Sequence, residues 1–312
     1  LISCQANIER VMDLLEQKPN VVDRTDVLRK YGDAFSPNKG NWEKIQGDIV
    51  FEDVSFMYPD GKEYVLEHFN LHVPAGMNVA IVGETGAGKS TLVNLVGRFF
   101  EPTKGRILID GVDYRERSQL WLHSQIGYVL QNPHLFSGTV RENIRYGRLD
   151  ALDEEIEEAA RNVSADMVVA KMEKGYDSDV GESGGLLSTG EKQLISFARA
   201  VLANPAIFVL DEATSSIDTQ TEKLIQDATN HLLKGHTSFV IAHRLSTIRQ
   251  ADLILVVKDG KIIERGSHPE LLEQKGYYYE LYSRQFEEEE AMKVFAGATF
   301  AGETDWESVC QP

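Results

Sequence analysis

Residues 83–91 read GETGAGKST, with the apolar run MNVAIV before them and the amphipathic LVNLVGRFF after. Gly83, Gly88, Lys89 and Ser90 fit the spacing G-x-x-x-x-G-K-[ST], and the flanks supply the strand before and the helix after that this spacing needs to work as a phosphate cradle. Glycines at 83, 86 and 88 let the backbone turn through conformations closed to residues with a Cβ. The N–H groups of Gly83, Glu84, Thr85, Gly86, Ala87 and Gly88 can then converge on phosphate oxygens, and the helix starting near Lys89 adds its positive end. Lys89 is placed to reach the β- and γ-phosphates, the Ser90 hydroxyl to sit on Mg²⁺, and the Thr91 hydroxyl to lie near the α-phosphate.

Composition narrows the partners. The chain has 312 residues, 42% hydrophobic and 26% charged, enough for one large core or two lobes. Its 49 acidic residues against 32 basic ones give a formal charge of -17, which argues against nucleic acid as the main partner. Cys4 and Cys310 stand at opposite ends in no metal or disulfide spacing, favouring a reducing compartment. No apolar run approaches the roughly 20 residues that span a bilayer. The sequence opens on LISCQ, without a methionine or a signal-peptide pattern, as expected of a piece of something longer.

Along the chain, Ile8, Val11, Met12, Leu14 and Leu15 recur at helical spacing, the KPN at 18–20 stops that helix, and a polar connector follows to about residue 46. Short alternating strands are predicted at 48–57, 65–73 and 105–111, a β-rich subdomain. Between 131 and about 187 the pattern turns helical, in SGTVRENIRYG, DEEIEEAARNV and SADMVVAKME. A long helix is predicted at about 189–203, then buried strands AIFVLD and TSFVIAH separated by a helix at about 219–233. This alternation marks a mainly parallel sheet with helices on its faces. The tail from about 285, EEEE onward, lacks periodicity and is predicted to be mobile.

The strand AIFVLD carries Asp211 and Glu212 to its C-terminal end, the edge where open α/β sheets place ligands. One carboxylate suits a Mg²⁺ shell and its neighbour an attacking water. Asp211 is expected to hold Mg²⁺, and Glu212 to orient or deprotonate the water that attacks the γ-phosphate.

Taken together, GETGAGKST, YVLQNPHLFSGTVRENI, LSTGEKQLISFARAVLANP, IFVLDE, SSID and IAHRL occur in the order found in ATP-binding cassette (ABC) ATPase domains, and the chain resembles that family over about residues 48–284. Details such as LFSGTVRENIRYG and DVGESGG resemble its exporter branch. The resemblance implies an α/β phosphate-loop nucleotidase of the ABC ATPase fold, with a mainly parallel core sheet, an antiparallel β-subdomain and a helical subdomain at about 132–190. It implies ATP and Mg²⁺ as cofactors, a second ABC ATPase domain as partner, and a transmembrane domain earlier on the same full-length chain. Residues 1–46 would be the end of the last membrane helix and its connector, 47–284 the ATPase domain, and 285–312 an acidic tail, all at the cytoplasmic face of a membrane. Tyr58 matches the aromatic that stacks on adenine, with a place in the core as the alternative. Gln131 matches the glutamine that senses Mg²⁺ and the attacking water, His243 the histidine at the γ-phosphate, and Asp218 an acidic residue crossing to the opposing subunit. The segment from Gln131 to Ile144 would face the membrane domain.

Residues 187–191, LSTGE, depart from the family's LSGGQ, which caps ATP bound to the opposite subunit. Leu187, Ser188 and Gly190 are kept, while Thr189 replaces a glycine and Glu191 a glutamine. A carboxylate is thus expected near a polyanion. An intact catalytic set with an altered cap is similar to one half of asymmetric heterodimeric exporters, and a homodimer with a tolerated variant stays open. The functional alternative is a soluble ABC-type ATPase acting on nucleic acid or ribosomes, which usually carries coiled-coil insertions or two cassettes. A module that binds ATP without turnover would lack Glu212.

Overall fold

The computed structural model describes residues 10–12, 16, 19–130, 133–211 and 219–287. Four strands, β1 (Ile49–Phe56), β2 (Leu66–Val73), β4 (Lys104–Ile109) and β5 (Val112–Asp113), form an antiparallel sheet in the order β2-β1-β4-β5. Six others form the central sheet: β3 (Asn78–Val82), β6 (Ile126–Val129), β7 (Ile207–Asp211), β8 (Thr237–Ile241), β9 (Leu253–Lys258) and β10 (Lys261–Gly266). Their order is β10-β9-β3-β8-β7-β6, parallel throughout except for the antiparallel edge strand β10.

The parallel strands read as unbroken apolar runs because both faces of their sheet are covered. Alternation divides each strand between two cores. Val79 and Ile81 of β3, Ile207 and Val209 of β7, and Phe239 and Ile241 of β8 face the antiparallel sheet and the helix α2 (Lys89–Val96), joining Phe51, Phe69, Leu92 and Val96. Ala80, Phe208, Leu210 and Val240 face the other way, onto α5 (Asp153–Asn162), α7 (Thr189–Ala203) and α8 (Thr219–Leu233). The helical region between β6 and β7 also contains α4 (Val140–Arg145) and α6 (Asp166–Val169).

The helices predicted at 189–203 and 219–233 are observed with those bounds. SADMVVAKME is helical only over Asp166–Val169. The turns beyond it close with three-residue spacing, Lys171 N to Val168 O and Met172 N to Val169 O, and so tighten out of the α-helix. Of the predicted first helix, residues 10–12 and 16 are described, as helix; the others, and the tail beyond 287, lie outside the described residues. No helix among the described residues is long and apolar enough to cross a membrane.

The polar connector carries more structure than its composition suggests. It contains α1 (Thr25–Tyr31), whose Val27 and Tyr31 are buried, and Ile45 enters the core beside β1. Asp23 accepts from Arg98 Nη1 at 2.9 Å and from the backbone N–H of Gln119, the first residue of α3 (Gln119–Ser124). Arg98, two residues past α2, is 1% exposed and also donates to Glu101 and the Arg117 carbonyl. Glu43 accepts from Arg117 and Lys30, and its carbonyl takes the Trp121 indole N–H.

Candidate nucleotide site

Parallel strands deliver their following residues to one edge. Ile81 and Asp211 both pair with Ile241, so the ends of β3, β8 and β7 lie side by side. From them emerge Gly83 and the phosphate loop, Ala242 and His243, and Asp211 itself.

Gly83 stands at φ 152°, and a Cβ there would lie 2.2 Å from the Val257 carbonyl oxygen of β9, so the loop can leave the sheet this closely only without a side chain. Gly88, left-handed at φ 103°, is the N-cap residue of α2, so the eight-residue helix begins with Lys89 and aims its free N–H groups at the loop. Lys89 is 8% exposed. Its Nζ donates to the carbonyls of Gly83 (2.6 Å) and Glu84 (2.9 Å), which leaves one of three ammonium protons for a phosphate. Glu84, Thr85, Gly86 and Ser90 are exposed around this cradle, while Ala87 is buried beneath it.

The three charged groups sense one another. Burial lowers the Lys89 pKa, and Asp211 opposes the shift. Burial raises that of Asp211, against the pull of His243 and Lys89. His243 is pushed down by burial and then by Lys89, with Asp211 opposing. Burial thus favours the neutral imidazole, which can donate from one nitrogen and accept at the other. Bringing in a polyanion with Mg²⁺ would favour the charged forms of Lys89 and Asp211 that burial penalises.

A carboxylate and a hydroxyl are the hard oxygen donors that suit Mg²⁺, which takes one or two protein ligands and completes its shell with phosphate oxygens and water. Asp211 at the sheet edge and Ser90, exposed in the first turn of α2, supply such a pair. No cluster of three or more His, Cys, Asp or Glu residues able to hold a metal occurs among the described residues. Gln131, Glu212 and Asp218 lie outside the described residues.

Tyr58 is half-buried, edge-on to Phe56 (centroids 4.9 Å apart) and Phe100 (5.1 Å), and its hydroxyl meets Thr91 Oγ1 at 2.9 Å. Tyr58 and Thr91 are thus neighbours, and Tyr58 is tied to the core as well as to the loop's helix.

At the other candidate cap, Ser188 is the N-cap of α7 and Glu191 its third residue. Ser188 Oγ accepts from Glu191 N (3.3 Å) and Glu191 Oε2 accepts from Ser188 N (2.9 Å). This reciprocal box satisfies two otherwise orphaned donors. The Glu191 carboxylate accordingly folds back on its own helix end. Leu187 packs on the helical core, Gly190 is buried, and Ser188 and Thr189 are exposed.

Residues 277–287, to which no role attaches from sequence, form a helix whose Arg284 and Gln285 reach Glu84 and the His243 backbone. The available signal was the aromatic and apolar periodicity of YYYELYSRQF.

The family model described as ABC transporter matches residues 66–215, from the start of β2 to just past Asp211. A solved bacterial Atm1-family ABC exporter with ATP bound superposes with a TM-score of 0.76 at 38% identity, over 90% of this chain and 47% of that one. The chain carries an ABC transporter ATP-binding domain. An uncharacterized ABC transporter ATP-binding protein of Bacillus subtilis, YfiC, is 49% identical over 288 residues, 92% of this chain. A fatty acid ABC transporter ATP-binding/permease protein of Mycobacterium bovis is 49% identical over 276 residues, 88% of this chain. The chain spans 45% and 41% of those two relatives, so the ATP-binding domain accounts for under half of each. The exporter-branch resemblance is borne out by the Atm1-family neighbour, and both sequence relatives are ABC transporter proteins.

Proposed function

We propose that this ATP-binding domain binds and hydrolyses Mg-ATP at an interface with a second such domain and thereby drives export across a membrane. The observation that carries this reading is the convergence of Lys89, Asp211 and His243, mutually within electrostatic reach, at the ends of adjacent strands. Mg²⁺, when bound, neutralises charge on the phosphates. The chain's own residues do the rest. Lys89 and the loop amides would hold the phosphates, Ser90, Asp211 and Gln131 would hold the ion, and Tyr58 would border the adenine. Glu212 takes the proton of the attacking water, and His243 donates to the γ-phosphate.

Residues 1–46 are read as the exit from a membrane helix and its connector and 47–284 as the ATPase domain; the tail expected from 285 has its first three residues, 285–287, in the helix that begins at 277, so they are not a mobile tail. The Gln131–Ile144 segment would face a transmembrane domain of the same full-length chain, which puts the protein at the cytoplasmic face of a membrane. The partner is a different ATPase domain in preference to a second copy. A helix end that already holds its own carboxylate offers less to a γ-phosphate, and Glu191 closes such a box at α7. Asp218 would contact that partner. The excess of acidic residues argues against nucleic acid as the main partner.

Glu212→Gln tests the reading. The variant should bind Mg-ATP normally and lose most single-turnover hydrolysis, because the neutral isostere keeps the shape and cannot take a proton. Hydrolysis at the unmodified rate would remove Glu212 from the base's role. In that background, Glu191→Gln should increase Mg-ATP-dependent self-association in sedimentation at low salt. A tight homodimer that Glu191→Gln leaves unchanged would remove the heterodimer preference.

A further inference from the structure

Residues 277–287 form a helix that begins against β10. The Glu264 carboxylate accepts the backbone N–H groups of Tyr277 (2.6 Å) and Tyr278 (2.9 Å), a capping arrangement at the positive helix end. Gly276 permits it, because a Cβ there would lie 2.2 Å from Glu264 Oε1. Tyr278 is 1% exposed in the same core as β7 and β8, and its hydroxyl meets His268 Nδ1 at 2.7 Å. Tyr282, one turn on, accepts from Arg249 of α9 (Leu245–Gln250) at 2.8 Å.

So fixed, the helix carries its eighth and ninth residues about 12 Å onward, to two neighbouring strand ends. Gln285 Nε2 donates to the backbone carbonyl of His243. Arg284 lies 4.0 Å from the Glu84 carboxylate of the phosphate loop. The first contact matters more. Residues 242–244 run between β8 and α9 without regular structure, so the Gln285 contact falls on backbone outside the sheet's ladder. The Arg284–Glu84 pair is exposed on both sides and contributes little.

We propose that Gln285 is a positioning residue for hydrolysis: by holding the His243 carbonyl, it fixes the backbone that aims the His243 ring, with the helix 277–287 as its mount. The inference rests on the reading of His243 at the γ-phosphate. Gln285 acts through the His243 backbone, so its effect is expected on turnover and not on the ATP bound before turnover. A residue that merely stabilised the fold would move the melting temperature and leave kcat alone.

The test measures kcat, KM for ATP and Tm in the full 312-residue chain for Gln285→Met, Gln285→Lys, His243→Ala and, as a control on the outer face of the helix, Tyr279→Ala. Methionine keeps the length without a donor, and lysine restores a donor. Gln285→Met should lower kcat about fivefold, the scale of one lost hydrogen bond of about 1 kcal/mol, with KM and Tm unchanged. Gln285→Lys should recover most of it, and Tyr279→Ala should match the unmodified chain. Unchanged kcat in Gln285→Met, or equal loss in the methionine and lysine variants, overturns the inference. Loss in His243→Ala with silence in Gln285→Met overturns it alone, whereas an unaffected His243→Ala overturns the γ-phosphate reading together with it.

Discussion

Lys89 is the residue on which the site's electrostatics turn. It is held almost out of solvent by two carbonyls of its own loop, and its charge is one that burial disfavours and Asp211 supports. A polyphosphate relieves that situation more than any neutral ligand could. Lys89→Ala should weaken Mg-ATP binding by about 10- to 100-fold, the scale of a charge-assisted hydrogen bond in a partly dry site, measured by calorimetric titration. Tyr58 presents a different balance, because its ring already has two aromatic neighbours and its hydroxyl has Thr91. Glu191 shows how the environment changes the meaning of a substitution. Read along the sequence it is a misplaced charge; in the structure it is the third residue of a capping box, a place that glutamate and glutamine both fill. Glu191→Gln should therefore leave thermal stability nearly unchanged, while Ser188→Ala should cost about 1 kcal/mol in denaturant unfolding. Equal destabilisation by the two would contradict the box.

At the scale of elements, two attachments hold the edges of the domain to its middle. The connector is clamped through Asp23, which meets Arg98 and the first N–H of α3. Arg98 is buried, so removing its acidic partner leaves a charge short of compensation. Asp23→Ala should destabilise by about 3 kcal/mol, read as a lower urea midpoint, and replacing both partners by apolar residues should recover part of that loss. The helix 277–287 is attached through Tyr278 and His268. Burial, and then Arg249, lowers the His268 pKa below its ordinary 6.5. As pH falls through that ordinary value, the unfolded chain takes up a proton that the folded chain refuses, so stability is lost with acidification until the lower folded value is reached. His268→Gln should flatten the fall of Tm below pH 6.5 relative to the unmodified chain. An unaltered pH profile would mean that His268 is not held as described. Neither attachment was legible in the sequence. Asp23–Arg98 joins residues 75 apart by charge alone, and a connector rich in polar side chains gives no periodicity from which docking could be inferred. The capping of Tyr277 by Glu264 likewise depends on a close approach that only coordinates reveal.

For the whole molecule, what could be read in advance was what repeats or punctuates. Apolar runs such as IFVLD and TSFVI belong to strands buried on both faces, and their ends carry the chemistry because a parallel sheet puts all C-terminal ends together. The glycine loop and the long helices at 189–203 and 219–233 were legible for the same reason, that local pattern and tertiary environment agree. Strand order was not, since nothing in β3 says that it will lie between β8 and β9. That order is what sets the phosphate loop beside His243 and within the field of Asp211. On the proposed reading, a site built at one sheet edge is completed by the cap of a second domain, so hydrolysis should depend on two domains meeting. ATP hydrolysis measured against protein concentration, in the unmodified chain and in Lys89→Ala, tests this dependence most directly. Specific activity should be low and rise only weakly with concentration in the unmodified chain, which pairs poorly with itself, and should disappear in Lys89→Ala. Specific activity independent of concentration and unaffected by Lys89→Ala would contradict both the shared interface and the role of the phosphate loop.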